Sequence, residues 1–291
     1  MTQKVTFVTP TYWKDFERFC IQRESIERCG IEIDHLAIVD HEDLPRFREI
    51  PFRQNLTILS TRDVLSPKIE ARRAVLRKRF RNPMRYLHRP LHGWYVQQLM
   101  KLASANVIGT EGIISLDSDI LFVGKVVHGD FFTDDGRLHL YETRDDLDAE
   151  MGEWLCQSMR FLGIKLQKSP MAKYVHGMVP LHRTVILQMQ KFIEQKYSQH
   201  WSLAMTRAKV TEYQTYGAYA RHTNGLKHLQ AVEPKLCVYY WWPEEAQKIE
   251  VDLVDRIRQS RGKAVLVNSN TGRPVNSYRG AVESAWKTLQ V

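Results

Sequence analysis

Glu111-Gly112-Ile113-Ile114-Ser115-Leu116-Asp117-Ser118-Asp119-Ile120-Leu121-Phe122-Val123 sets two aspartates, one residue apart, between two apolar runs. The runs have the length and apolar character of buried strands, so the aspartates fall where a strand leaves the interior. Carboxylates in such a place are normally neutralised by a cation, an arginine or a shared proton. A divalent metal fits best. Magnesium or manganese takes hard oxygen ligands, often one or two carboxylates with phosphate oxygens completing the shell. Spacing alone says little, because an Asp-x-Asp arises by chance about once in a chain of this length. Asp146-Leu147-Asp148 repeats it inside the charged run 142–150, which reads as a helix start where acids offset the macrodipole. The flanking strands distinguish the first pair from the second.

Upstream, Lys4-Val5-Thr6-Phe7-Val8-Thr9 reads as a buried strand broken by Pro10-Thr11, followed by a helix over 14–28 that Gly30 closes. A second strand over 33–39 ends on Asp40. Strand, helix and parallel strand make a βαβ unit whose ligand crevice lies beyond the carboxyl ends of the strands. Thr9, Thr11, Tyr12 and Asp40 belong to that edge as ligand-binding candidates, and Asp40 reads equally as a turn or cap residue. A short strand over 56–59 precedes a basic amphipathic helix over 68–81 carrying Arg72, Arg73, Arg77, Lys78 and Arg79. A solvated face is the plain reading of that helix, and peripheral contact with an anionic membrane surface or an acidic acceptor is the other. A further amphipathic helix over 94–102 turns Gln97, Gln98 and Lys101 towards the strand edge, as ordinary surface residues or as groups holding a base, ribose or diphosphate.

With 291 residues and 43% hydrophobic content, the chain can bury a substantial core. Its net charge of +9, from 42 basic and 33 acidic residues, favours anionic partners without choosing among them. The four cysteines lack CxxC spacing, which argues against a zinc site and for reduced thiols. With no secretory signal or membrane span in view, a cytoplasmic protein is expected, in some readings peripheral to the inner face of the membrane. Neither GxxxxGKS nor GxGxxG occurs, which weighs against a kinase or an ordinary dehydrogenase. No repeat or linker divides the chain. A single α/β domain is expected, with a nucleotide half over 1–125 and an acceptor half over 126–291.

Taken in order, Thr9-Pro10-Thr11-Tyr12, the strand ending at Asp40, the 94–102 helix and Leu116-Asp117-Ser118-Asp119 resemble the GT-A class of nucleotide-sugar-dependent glycosyltransferases. The run 93–123 and Thr211-Glu212-Tyr213-Gln214-Thr215-Tyr216-Gly217 are similar to a bacterial family of such enzymes associated with surface polysaccharide synthesis. The resemblance implies a Rossmann-like, mixed but mostly parallel sheet flanked by helices. It also implies a nucleoside-diphosphate sugar as donor, Mn2+ or Mg2+ held by Asp117 and Asp119, with Asp119 the stronger metal candidate, and a glycan or lipid-linked acceptor. A metal there would stabilise the diphosphate leaving group. Nucleic acid is not expected as a partner.

In Lys173-Tyr174-Val175-His176-Gly177-Met178-Val179-Pro180-Leu181-His182-Arg183, a strand leads into a helix over 184–196. His176 is either structural or a substrate contact, with Gly177 letting a sugar or diphosphate approach the backbone. By the resemblance, Glu212 is the acceptor-side acid and candidate base, and inversion would follow from that role, with retention left open; its plain reading is a first-turn glutamate. Tyr239-Tyr240-Trp241-Trp242 reads as core packing or as a sugar platform. A helix over 244–259 and a strand over 264–267 follow. The loop Asn268-Ser269-Asn270-Thr271-Gly272-Arg273 reads as a plain turn or as a cover for the diphosphate. No histidine near the C-terminus matches the further metal ligand of many such enzymes. A metal-dependent nucleotidyltransferase or phosphohydrolase, and a non-catalytic basic RNA- or membrane-binding protein, remain the rival readings.

Overall fold

The computed structural model describes residues 4–77, 91, 93–144, 149–165 and 172–289. Its main sheet contains β1 (Val5–Pro10), β2 (Asp34–Val39), β3 (Leu56–Ser60), β4 (Gly112–Leu116) and, among strands later in the chain, Met178–His182. The first four run parallel in the order β3-β2-β1-β4, and Met178–His182 pairs antiparallel with β4 at the edge. This is the mixed, mostly parallel sheet expected from the sequence. The burial of β1 and β4 along their whole length matches their unbroken apolar character.

The helix Phe16–Arg28 connects β1 to β2. Gly30, at φ +58°, ends it: the amide of Gly30 donates to the Glu27 carbonyl and that of Ile31 to the Ile26 carbonyl, satisfying orphan groups of the last turn. The basic helix is present as Pro67–Arg77. Arg73 turns inward, paired with Asp40 and with Glu70 (2.6 Å), so this part of the helix is not a purely solvated basic face. Lys78, Arg79 and Arg81, and the second Asp-x-Asp at Asp146 and Asp148, lie outside the described residues. Among the described residues no helix is long and apolar enough to cross a membrane.

Two smaller sheets complete the fold, one of them built on the strand expected over 264–267 and the apolar run after Asp119. Numbering the remaining strands in chain order, β5 (Ile120–Phe122) pairs antiparallel with β10 (Ala264–Val267), which runs parallel to β9 (Cys237–Tyr240). β6 (Leu138–Tyr141) runs parallel to β8 (Leu229–Val232), and Met178–His182 is β7. The helix expected over 244–259 is broken into Pro243–Ala246 and Ile249–Ser260. Phe7 of β1 stacks on Phe122 of β5 at 5.4 Å, and the Trp286 indole donates to the Phe122 carbonyl at 2.8 Å. One core cluster thereby runs from Val5 to Trp286 through both the main sheet and the β5-β10-β9 sheet.

Candidate active site

Between β4 and β5 the chain passes from one sheet to the other through Asp117-Ser118-Asp119. The Asp117 amide donates to the Gly177 carbonyl (3.0 Å), Ile120 to Asp117 (3.1 Å) and Val267 to Asp119 (3.3 Å). From below, the fully buried Gln22 amide donates to the Asp117 carbonyl at 2.8 Å and the Ile120 carbonyl at 3.1 Å. The turn is thus clamped by backbone and side chain alike. Gln22 was not anticipated as part of the site. Its signal was a polar residue at helical spacing with Phe19 and Ile26 on a buried face.

The two aspartates differ in environment. Asp117 is partly exposed and accepts from Lys101 Nζ at 2.9 Å. Lys101, on the Gly93–Ala103 helix, also donates to Glu212 Oε1 at 3.1 Å and lies 4.4 Å from the centre of the Tyr213 ring. Burial acts to lower the Lys101 pKa, but Asp117, Tyr213 and Glu212 outweigh it and hold the amine firmly charged, well above its ordinary range. Burial raises the Glu212 carboxyl, against the opposing pull of Lys101. Asp117 is therefore neutralised in part by a cation of the chain itself.

Asp119 is buried. Its Oδ2 accepts from the Ser269 amide at 3.0 Å, while Oδ1 has no hydrogen-bond partner. Burial, reinforced by the charge of Asp117, raises its pKa to about 7. An orphaned carboxylate oxygen beside a second carboxylate suits a divalent cation. Among the described residues no group of three or more His, Cys, Asp or Glu could hold a metal, so the chain offers this pair and other oxygens would have to come from ligand and water.

A cavity of about 740 Å³ opens over this turn, lined by Asp117, Asp119, Gln98, Lys101, His176 and Glu212 together with Trp94, Trp154, Trp241, Trp242 and Asn268 to Asn270. A second, of about 620 Å³, shares Asp15, Trp94, Gln97, Ser269 and Asn270 with it, and adds Thr11, Tyr12, Arg18, Asp40 and Arg73. Thr11 follows β1, Asp40 follows β2 and Asp117 follows β4. The cavities therefore gather at the carboxyl ends of parallel strands, where the strand order switches direction at β1 and β4.

The other candidates divide between the cavities and the packed interior. Thr9 lines neither cavity: its hydroxyl is buried against Gln22 (3.1 Å) and His35 (2.9 Å). Asp40 reaches the second cavity with its carboxylate engaged by Arg73. His176 lines the main cavity as a neutral imidazole, burial lowering its pKa to about 3, with Nε2 unpartnered. Gly177 serves packing: a Cβ there would meet Leu266 Cδ1 at 2.1 Å, so the glycine makes room for β10 and not for a ligand. Arg273 faces away, bonded to Glu250 and the Ala246 carbonyl. The amides of Ser269, Asn270, Thr271 and Gly272 are already donated within the protein. The aromatic run divides, Tyr240 fully buried in the core and Trp241 and Trp242 at the cavity. Asp15, Arg18, Arg73 and Trp154 were missed. They come from four helical segments, and only the tertiary fold assembles them.

The topology is that of the GT-A class. The chain aligns with a solved galactosyltransferase, LgtC, in complex with donor and acceptor sugar analogs, at a TM-score of 0.51 and 13% identity, over 96% of this chain and 95% of that one. Mouse xyloside xylosyltransferase 1, in its apo form, aligns at 0.49 and 10% identity, over 93% and 100% of the two chains. No curated protein matches by sequence. Over residues 2–279 the chain belongs to DUF6492, a family of unknown function.

Proposed function

We propose that this protein transfers a sugar from a nucleoside-diphosphate donor to a hydroxyl of a glycan or lipid-linked acceptor. The chain would act as one domain, residues up to about 125 serving the donor and those after it the acceptor. One observation carries this reading: the unpartnered, buried Asp119 Oδ1 beside Asp117, at a turn facing two joined cavities. Asp117 and Asp119 would hold Mn2+ or Mg2+ on the diphosphate. When bound, the ion would supply electrostatic stabilisation of the leaving group. Thr11, Tyr12 and Asp40, with Arg73, would surround the nucleoside, and Gln98 and His176 the sugar.

Lys101 links the donor carboxylate Asp117 to the acceptor carboxylate Glu212, at 2.9 Å and 3.1 Å. In the transfer, the acceptor hydroxyl oxygen bonds to the anomeric carbon as the bond to the diphosphate oxygen breaks. The hydroxyl proton passes to Glu212, whose burial-raised pKa suits it to a base, and inversion follows from that assignment. The resemblance supports bacterial surface-polysaccharide synthesis at the cytoplasmic side as the setting. Product analysis tests the reaction class. With a nucleotide sugar, manganese and acceptor, release of nucleoside diphosphate with a glycosylated product is expected; release of pyrophosphate would place the protein among nucleotidyltransferases.

A further inference from the structure

Arg23, on the Phe16–Arg28 helix, has no exposed surface, and the reaction above makes no use of it. Its Nε donates to the Phe52 carbonyl at 3.2 Å and Nη2 to the Gln54 carbonyl at 2.6 Å, so the guanidinium pins the segment that leads into β3. Glu27, one turn on and 3.4 Å away, gives it a counter-charge. Nη1 is left for Nδ1 of His35, on β2, at 2.9 Å.

From His35 a line of contacts runs to the aspartate turn. The imidazole Nε2 lies 2.9 Å from the Thr9 hydroxyl on β1, and that hydroxyl lies 3.1 Å from Gln22 Oε1. Gln22 Nε2 then donates to the Asp117 and Ile120 carbonyls. None of these four side chains is more than 1% exposed. Phe7 and Phe19 flank the imidazole, with ring centroids 6.1 and 5.6 Å away, so the polar groups must satisfy one another.

The direction of every bond is set from both ends. A guanidinium only donates, so His35 Nδ1 accepts and the ring carries its proton on Nε2. Burial, reinforced by the Arg23 charge, keeps the ring neutral. Peptide carbonyls only accept, so Gln22 turns its NH2 to Asp117 and Ile120 and its oxygen to Thr9. The Thr9 hydroxyl joins the two halves, accepting from His35 and donating to Gln22. Without that hydroxyl, Gln22 Oε1 is a buried acceptor with no donor, and the amide loses what holds it against the turn.

We infer that Arg23, His35 and Thr9 are positioning residues for the aspartate turn: the arginine orients a buried relay that delivers the Gln22 amide to the peptide groups on either side of Asp119. What the turn binds rests on the glycosyl-transfer reading above, whereas the relay itself does not.

NMR of the full chain, 15N-labelled and free of ligand, reads the relay. His35 is expected as the Nε2–H tautomer. Each carbonyl shares its peptide group with the next amide, so the 15N shifts of Ser118 and Leu121 report the Gln22 bonds. Thr9→Val should move both shifts and Thr9→Ser should restore them. Calorimetry with manganese and UDP- and GDP-sugars reads the consequence: Thr9→Val should weaken donor binding about tenfold or more, and Thr9→Ser should recover most of it. Ile193→Val, a buried truncation in the Arg183–Tyr197 helix and outside both cavities, should cost stability and leave shifts and binding unchanged. An Nδ1–H tautomer would overturn the inference, and decides alone if Thr9→Val does not fold. Unmoved shifts, or donor affinity equal in Thr9→Val and the unaltered protein, would overturn it too while leaving the transfer reading standing. The expected tautomer and shifts, with no nucleotide sugar bound, would keep the relay and overturn the transfer reading.

Discussion

Lys101 is the residue on which the site turns. Its amine sits within 3.1 Å of both Asp117 and Glu212, and Glu212 is almost wholly enclosed. Removing the ammonium leaves a buried carboxylate without its counter-charge. Lys101→Met is expected to destabilise the fold by about 3 kcal/mol, with Lys101→Met/Glu212→Gln recovering part of the loss in a double-mutant cycle of urea melts. Strictly additive losses would show that the pair is not coupled. The aspartate pair was legible in the sequence because two strand-like runs bracket it. The difference between its members was not, since it depends on Ser269, 150 positions from Asp119, and on Lys101 from another helix. Sequence reading singled out Lys101 and Glu212 as candidates without bringing them together.

At the scale of elements, the Phe16–Arg28 helix and strand β7 hold the turn from two sides. Gln22→Leu keeps the side chain's bulk and leaves the Asp117 and Ile120 carbonyls without their side-chain donor. A loss of about 1–3 kcal/mol is expected, together with weaker donor binding as the turn loosens. Unchanged stability and binding would show that the clamp is redundant. The end of β7 also carries a pH response. Burial, aided by neighbouring His228 and opposed by Glu111, lowers the His182 pKa to about 4. The folded protein therefore resists protonation there, and the unfolded chain takes up a proton first as pH falls below about 6.5. Up to about 3 kcal/mol of stability should be lost between pH 6.5 and 4, and His182→Leu should flatten that part of the profile in urea melts. An identical acid slope in the variant would exclude the histidine as its source. The parallel βαβ start and the helix closed by Gly30 were readable from local patterns. β6 and β8 were not, because His139 and Gln230 interrupt their four-residue runs, which lack the unbroken apolar character that marked 264–267.

In the whole molecule, the turn at Asp117 to Asp119 joins the main sheet to the β5-β10-β9 sheet. The carboxylates thereby stand where strand ends, helix ends and the 268–270 loop converge. The GT-A topology was foreseeable as an ordered set of elements. The cavity walls were not, since Trp94, Trp154 and Trp242 are widely separated in sequence and become one surface only after the sheets pack. The central claim is that Asp117 and Asp119 hold a nucleotide sugar through a divalent cation. Calorimetric titration of the chain with UDP-, GDP- and dTDP-sugars, with and without manganese, tests it most directly when repeated on Asp119→Asn. Manganese-dependent binding of at least one donor is expected, weakened by about a hundredfold or more in the variant. Donor binding indifferent to both manganese and Asp119→Asn, or no binding by any nucleotide sugar, would contradict the claim.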